Sequence, residues 1–376
     1  LLCSMYQEPS GVRIMAYTTI DDPSAHFQIA TWTGNGSSGT AVTNDGNSNL
    51  QPDLLWGKIR TDDADQNRNH WLIDSTRGLN KALGANTTSS EETNSGYLNS
   101  FDSDGFTLGN DGNSNGSGDL VVGWQWKANG GSTTSVSASG TVLAGTHQAN
   151  TTAGFSIVTY TGEDDTVNTV THGLGAVPAW FIVKGRSGSG RHWRVYHHKN
   201  TSAPETDYLM LNDTRATTDD VNYWYDTAPT SSVFSISTAN DVNANTETYV
   251  AYCWAEIQGY SKFGSYTGNA NADGPFVYLG FKPAWLMIRN TIDGEDWLIW
   301  DIKRDKARAF GNPMSGRLKA NDAIQEVAGN DIDFLSNGFK IRTDSTYANG
   351  NGNNIIYMAF AEHPFVSSKG VPTTAR

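Results

Sequence analysis

The chain has 376 residues, 37% of them hydrophobic and only 17% charged, with 39 glycines and a formal net charge of -13. That acidity argues against a nucleic-acid partner, whose phosphates require a basic footprint, and against an anionic membrane surface. No apolar stretch approaches the roughly 20 residues that span a bilayer, and the two cysteines, Cys3 and Cys253, build neither a disulfide framework nor a zinc motif.

The opening LLCSMYQEPSGVR lacks a basic segment followed by an apolar one, so it is no ordinary signal peptide, and Met15 offers a second plausible start. Residues 1–26 read as an N-terminal arm. Because termini fray unless something holds them, neighbouring chains are expected to pin this arm in an assembly.

From residue 27 onward the same words recur three times in the same order. WTGN at Trp32, YTGE at Tyr160 and YTGN at Tyr266 open each round. A proline then leads an apolar run to a cation six residues later, at Pro52 to Lys58, Pro178 to Lys184 and Pro283 to Arg289. Tryptophan words follow at Trp71, Trp193 and Trp297. Phe106, Phe234 and Phe339 lie 54, 56 and 56 residues beyond the prolines. Trp126, Trp254 and Phe360 close each round 20, 20 and 21 residues later, in VVGWQW, YVAYCW and IIYMAF.

Short aromatic and β-branched runs broken by Gly, Asn and Asp predict antiparallel strands, with each proline at a strand start, where its missing N–H breaks no ladder bond. The predicted architecture is all-β: three tandem, homologous antiparallel β-sandwich modules, lectin-like or jelly-roll-like, of about 100 residues each. They cover residues 27–127, 155–258 and 259–366. Residues 128–154, rich in Ser, Thr and Gly, read as a linker, and 367–376 as a C-terminal tail. The short joint at Gln258 to Lys262 predicts that the second and third modules pack together.

Several clusters invite a chemical reading. NDGNSN occurs at 44–49 and again at 110–115, the second copy running on to Asp119. Asp111, Asn113, Asn115 and Gly116 match the start of a calcium loop, but Val122 stands where its bidentate glutamate belongs, and Asp119 would have to substitute for it. A polar hairpin turn is the favoured reading, since Asn and Gly dominate turns for conformational reasons; calcium is the only cofactor considered. His192 and His198 would lie roughly 20 Å apart on one strand, too far to share an ion, so the histidines around Trp193 read as an exposed pair beside a buried strand. NYWYD, with Tyr223, Trp224, Tyr225 and Asp226, is a candidate glycan surface, although core or interface packing is the favoured reading for the rings. Lys303, Arg304, Lys306 and Arg308 form the basic patch and the candidate assembly contact with an acidic neighbour, a solvated edge being the usual explanation of such a run. No nucleophile elbow, phosphate loop or Ser-His-Asp arrangement appears, so no enzyme is expected.

Taken together, PDLLWGKIR, HWLIDSTRG, SFDSDGFTLG, TTAGFSIVTYTG, THGLGAVPAWFIVK, NYWYDTAPTSSVFS and DFLSNGFKIRT resemble the repeated module of marine bacteriophage virion proteins, of the kind described as tail fibre or structural proteins in phages of cyanobacteria and other ocean bacteria. The resemblance covers most of residues 15–366. It implies a non-enzymatic particle component on the virion exterior, assembled with copies of itself, as a homotrimer, and with other virion proteins, and displaying surfaces for host glycans. It carries over no catalytic residues. The alternatives are a capsid decoration or head-fibre protein without a receptor role, and a polysaccharide-cleaving tailspike, for which Glu295 or Asp301 would have to matter.

Overall fold

The computed structural model describes residues 16–61, 68–292, 294–304 and 312–373. The first repeat contains β1 (Phe27–Thr33), β2 (Thr40–Thr43), β3 (Leu54–Ile59), β4 (Trp71–Asp74), β5 (Lys81–Ala82), β6 (Glu92–Thr93), β7 (Leu98–Asp102), β8 (Gly105–Leu108), the one-turn helix α1 (Gly112–Asn115) and β9 (Leu120–Trp126). After β10 (Thr134–Val136) and β11 (Gly145–Asn150), the second repeat runs through β12 (Phe155–Thr161), β13 (Asn168–Thr171), β14 (Trp180–Gly185), β15 (Arg194–His197), β16 (Asp207–Met210), β17 (Thr218–Asp219), α2 (Val221–Trp224), β18 (Val233–Ile236), α3 (Asn240–Asn243) and β19 (Thr248–Trp254). The third holds β20 (Ser261–Thr267), β21 (Phe276–Tyr278), β22 (Phe281–Asn290), β23 (Trp297–Asp301), β24 (Met314–Lys319), β25 (Val327–Leu335), β26 (Gly338–Ile341), α4 (Thr346–Asn349) and β27 (Asn354–Pro364). The fold is all-β, its named strand pairs antiparallel.

One strand order recurs in every repeat: β1-β9-β3-β4, then β12-β19-β14-β15, then β20-β27-β22-β23. The two middle strands of each set are buried on both faces, which is why they read as continuous apolar runs rather than alternating ones. Alternate residues serve different cores. In β19, Val250, Tyr252 and Trp254 face a cluster shared by all three repeats, while Tyr249, Ala251 and Cys253 face a cluster of the second repeat alone. In β27, Ile356, Met358 and Phe360 join the shared cluster, and Ile355, Tyr357 and Ala359 a local one. The shared core is aromatic: Trp126 lies 5.0 Å from Phe27, 6.0 Å from Trp254 and 5.6 Å from Phe360, ring centre to ring centre.

The contacts between repeats close into a cycle. Structurally equivalent residues end the fourth strand of each set: Asp74, His197 and Asp301 stand opposite Leu54, Trp180 and Trp285. Asp74 accepts the Tyr252 hydroxyl of the second repeat (2.7 Å), His197 Nε2 donates to the Tyr357 carbonyl of the third (3.1 Å), and Asp301 accepts Trp124 Nε1 of the first (2.9 Å). A second cycle runs in the opposite sense. His70 reaches the Lys319 carbonyl, Trp193 Nε1 the Gly84 carbonyl and Trp297 Nε1 the Met210 carbonyl, at 2.9, 2.7 and 2.7 Å.

That second cycle corrects the alignment of the tryptophan words. Trp193 and Trp297 correspond in space to His70, not to Trp71. The strand ends Asp74, His197 and Asp301 lie four residues beyond His70, Trp193 and Trp297 but only three beyond Trp71, and a one-residue offset in a strand turns a side chain to the opposite face. Trp71 therefore packs in the first repeat's own core, whereas Trp193 and Trp297 enter the shared one. The proline expectation also divides: Pro52 and Pro178 precede their strands, but Pro283 lies inside β22, at a register shift that spares the ladder.

Two further expectations change. The 128–154 stretch is built into the structure: β11 pairs with β12 along its length, and the Asp53 carboxylate accepts the backbone N–H groups of Ala128, Gly130 and Gly131. The described part of the N-terminal arm is held by its own chain, since the Tyr17 hydroxyl donates to the Gly280 carbonyl at 2.8 Å and Ile20 enters the shared core. The part of the arm at residues 1–15 lies outside the described residues.

Candidate functional site

The second NDGNSN forms α1, and its asparagine is a structural plug. Asn115 is fully buried; its Oδ1 accepts the Asn35 N–H (3.0 Å), and its Nδ2 donates to the carbonyls of Ser37 and Gly109 (2.9 Å each). Asn243 at the end of α3 and Asn349 at the end of α4 do the same for the loops at Glu163 and Asn269. The opening words of each repeat read this helix. Trp32 Nε1, the Tyr160 hydroxyl and the Tyr266 hydroxyl donate to the carbonyls of Ser114, Val242 and Ala348, at 2.9, 2.7 and 2.7 Å. The glycine of each word is required by close approach: a Cβ on Gly34 would lie 2.0 Å from the Gly116 carbonyl oxygen, and one on Gly268 2.2 Å from that of Gly350.

In this geometry the oxygens of the calcium-like word are engaged by the protein itself. Asp111 caps the helix, accepting the Asn113 N–H (2.7 Å) and the Asn94 amide (2.8 Å), and Asn113 Nδ2 donates to the Tyr97 hydroxyl. Both ends of the Asn115 amide are engaged, and the Asp119 carboxylate lies against Gly116. No group of three His, Cys, Asp or Glu among the described residues could hold a metal. Asn115→Ala is expected to lower stability by about 2 kcal/mol, because it leaves the Asn35 N–H and the Gly109 carbonyl without partners, the Ser37 carbonyl keeping the Thr40 hydroxyl. EDTA is expected to leave the unfolding midpoint of the parent chain unmoved; denaturant titration checks both.

The first NDGNSN bridges repeats instead. Asp45 forms an ion pair with Lys303 at 2.5 Å, and Gly46 N–H is accepted by Gln28. Asp45, Gly46 and Asn47 line a cavity of about 200 Å³ together with Ile302, Lys303 and His363 of the third repeat.

The basic patch is turned inward as far as it is described. Arg304 is buried, donating to Asp301 (2.5 Å) and to the Ile299 carbonyl (2.8 Å), because it neutralises the carboxylate that receives Trp124. Arg304 therefore offers no docking surface, while Lys303 stays at the surface in its pair with Asp45. Lys306 and Arg308 lie outside the described residues. Asp301, a residue the tailspike reading needs, is likewise committed to this buried pair.

The expected exposed histidine pair is also corrected. His197 is buried and His198 half-buried, each hydrogen-bonded to a carbonyl of the third repeat, Tyr357 or Phe263. His192 is held by Asn212 at 3.0 Å.

NYWYD does not make a three-ring platform. Trp224 is a core residue whose Nε1 donates to the Asp207 carbonyl (3.0 Å), and the Tyr223 ring covers the Arg194 guanidinium at 4.4 Å. Tyr225 takes a left-handed conformation (φ 55°) as the helix cap and is exposed, and Asp226 follows in the same region (φ 44°). Helical turning separates the rings onto different faces. What the segment does build, with the α3 loop, is an open polar groove of about 450 Å³ lined by Arg191, Asp220, Asn222, Tyr223, Thr238, Asn240 and Asp241. Asp241 is held by Arg194 (2.8 Å to Nε), and Asn222 bridges Asp220 and Thr238. Of the groove residues, sequence reasoning found only Asn222 and Tyr223, both within NYWYD, since the others lie outside that word. Chemically the groove offers amides, hydroxyls and carboxylates to a polar, neutral ligand.

No curated protein and no solved structure matches the chain. A family model described as a domain of unknown function (DUF7483) matches residues 22–364 as one unit, spanning all three repeats. The chain belongs to this family.

Proposed function

We propose that the chain is a structural component of a bacteriophage particle, an appendage or fibre subunit on the virion exterior, that presents the α2–α3 groove to host-surface glycans. In this reading each repeat is a lectin-like sandwich module, the subunits form a homotrimer, and no reaction is catalysed. The observation that carries it is the double cycle of contacts around one aromatic core. It welds three repeats into a block suited to bearing load rather than to hinged motion. The wording shared with marine phage virion modules, the acidic net charge and the abundance of Asn, Ser and Thr support the same reading.

The test is binding of the labelled full chain to surface polysaccharide extracted from marine cyanobacterial cells. Saturable binding, indifferent to EDTA and weakened about tenfold by Asn222→Ala, is expected, the loss matching one or two hydrogen bonds. Burial of Tyr223 and Trp224 favours a second reading, a capsid or shaft component without a receptor role. No binding to any host polysaccharide would decide for that one.

A further inference from the structure

Each repeat carries a short strand at the end of its sheet order, β2, β13 or β21. The three are in register, since Val42, Val170 and Val277 stand opposite Phe106, Phe234 and Phe339. The residue before that valine is Ala41, Thr169 or Phe276. In an antiparallel ladder, alternate residues turn their backbone groups toward the partner strand and the rest turn them away. Ile341 N–H bonds to the Pro275 carbonyl and Leu279 N–H to that of Asn337. The odd-numbered residues of this strand therefore face β26, and Phe276 directs its N–H and C=O outward.

The second repeat shows what such an edge accepts. There Thr169 N–H donates to the Thr141 carbonyl (2.7 Å), and its own carbonyl accepts Leu143 N–H (2.9 Å), with Val142 as the parallel partner. Leu143 then enters the second repeat's core. Only one edge residue supplies both bonds. The counterpart, Phe276, has no such partner among the described residues, and the side chains of Phe276 and Tyr278 are 46% and 48% exposed. Lys262 Nζ occupies the Tyr278 carbonyl at 3.3 Å, so the open position is Phe276 alone. Exposed edge strands are ordinarily guarded by charge or proline in the strand itself; this one carries aromatic side chains.

We propose that the outer edge of β21 is a strand-addition site for an extended segment of a neighbouring protein chain, with small hydroxyl and aliphatic side chains of the Thr141–Leu143 kind. Main-chain bonds to Phe276 supply the pairing and the two rings cover the added strand, the usual division of labour in this mode of recognition. The site is independent of the groove, so its test and the polysaccharide test fail separately.

The probe is a fluorescent peptide with the sequence SGTVLAG, that of residues 139–145, titrated into the full chain. Saturable binding is expected, with new amide-exchange protection at Phe276. Phe276→Pro removes the outward donor without touching the β26 ladder and is expected to weaken binding roughly tenfold, whereas Ala41→Pro is not. A peptide N-methylated at its leucine lacks the donor that Leu143 supplies and is expected to lose binding to the unaltered protein. The proposal is overturned by absence of saturable binding, by equal binding of the N-methylated peptide, or by protection at Thr169 instead of Phe276. Self-association that the peptide leaves intact and Phe276→Pro abolishes would also overturn it, because the edge would then belong to a second copy.

Discussion

Trp126→Ala is expected to destabilise the whole chain by about 4 kcal/mol and to do so in a single transition. The side chain is buried and touches rings from every repeat: Phe27 of the first, Trp254 of the second, Trp285 and Phe360 of the third. Removing it deletes a large apolar surface and edge-to-face contacts, and its neighbours are fixed by strand pairing, so the hole cannot close. Urea titration followed by near-ultraviolet dichroism measures the loss, and amide exchange shows where it acts. Faster opening confined to the first repeat, with the other two unchanged, would contradict a common core.

Acid is expected to loosen the same assembly. His70 accepts Trp56 Nε1 at Nδ1 (3.0 Å) and bonds to the Lys319 carbonyl through Nε2 (2.9 Å). His197 accepts the Lys199 N–H and donates to the Tyr357 carbonyl; His172 accepts the Leu174 N–H and donates to the Thr230 carbonyl. In each ring one nitrogen must stay unprotonated to accept a bond. Burial foremost, then the neighbouring positive charge of His198, holds His197 at about 3, and burial holds His172 at about 4. Burial, with Lys58 next, keeps His70 well below the ordinary range.

These bases are neutral in the folded chain and take up protons on unfolding below about pH 6.5. Their contribution is complete above that pH and falls as the pH drops, by about 1.4 kcal/mol per unit for each histidine until its folded value is reached. Three of them give a slope of about 4 kcal/mol per pH unit near pH 5. His197→Gln, which keeps an acceptor and a donor, is expected to reduce that slope by about 1.4 kcal/mol per unit. Denaturant titrations at pH 7, 6 and 5 check it, and equal stability at all three would refute it.

The strand set was legible because its signals are local. VVGWQW, YVAYCW and IIYMAF are strands, and the Phe spacing placed them in equivalent positions. The function of the turn words was only half legible. Asn115 lies 83 residues beyond Trp32, Asn243 83 beyond Tyr160 and Asn349 83 beyond Tyr266, a constant interval that would have marked the plug had the calcium-like oxygen pattern not drawn the eye. The inward turn of Arg304 was only half legible: its partner Asp301 lies three residues away, but the Trp124 that meets the same carboxylate comes from another repeat. The packing of Tyr223 was not legible in detail, because Arg194 and Tyr208 reach it through pairing between separate strands.

By itself the sequence determined the all-β class, the threefold repetition and the strand order along the chain, since hydrophobic period and turn residues act over a few positions. Only the tertiary structure decided which face of each strand meets which core, that the repeats close into a cycle, and that the stretch after Trp126 is a paired strand rather than a tether. A strand buried on both faces carries no alternation to say which side is which, and a one-residue slip, as at Trp71, exchanges the two without changing the composition at all.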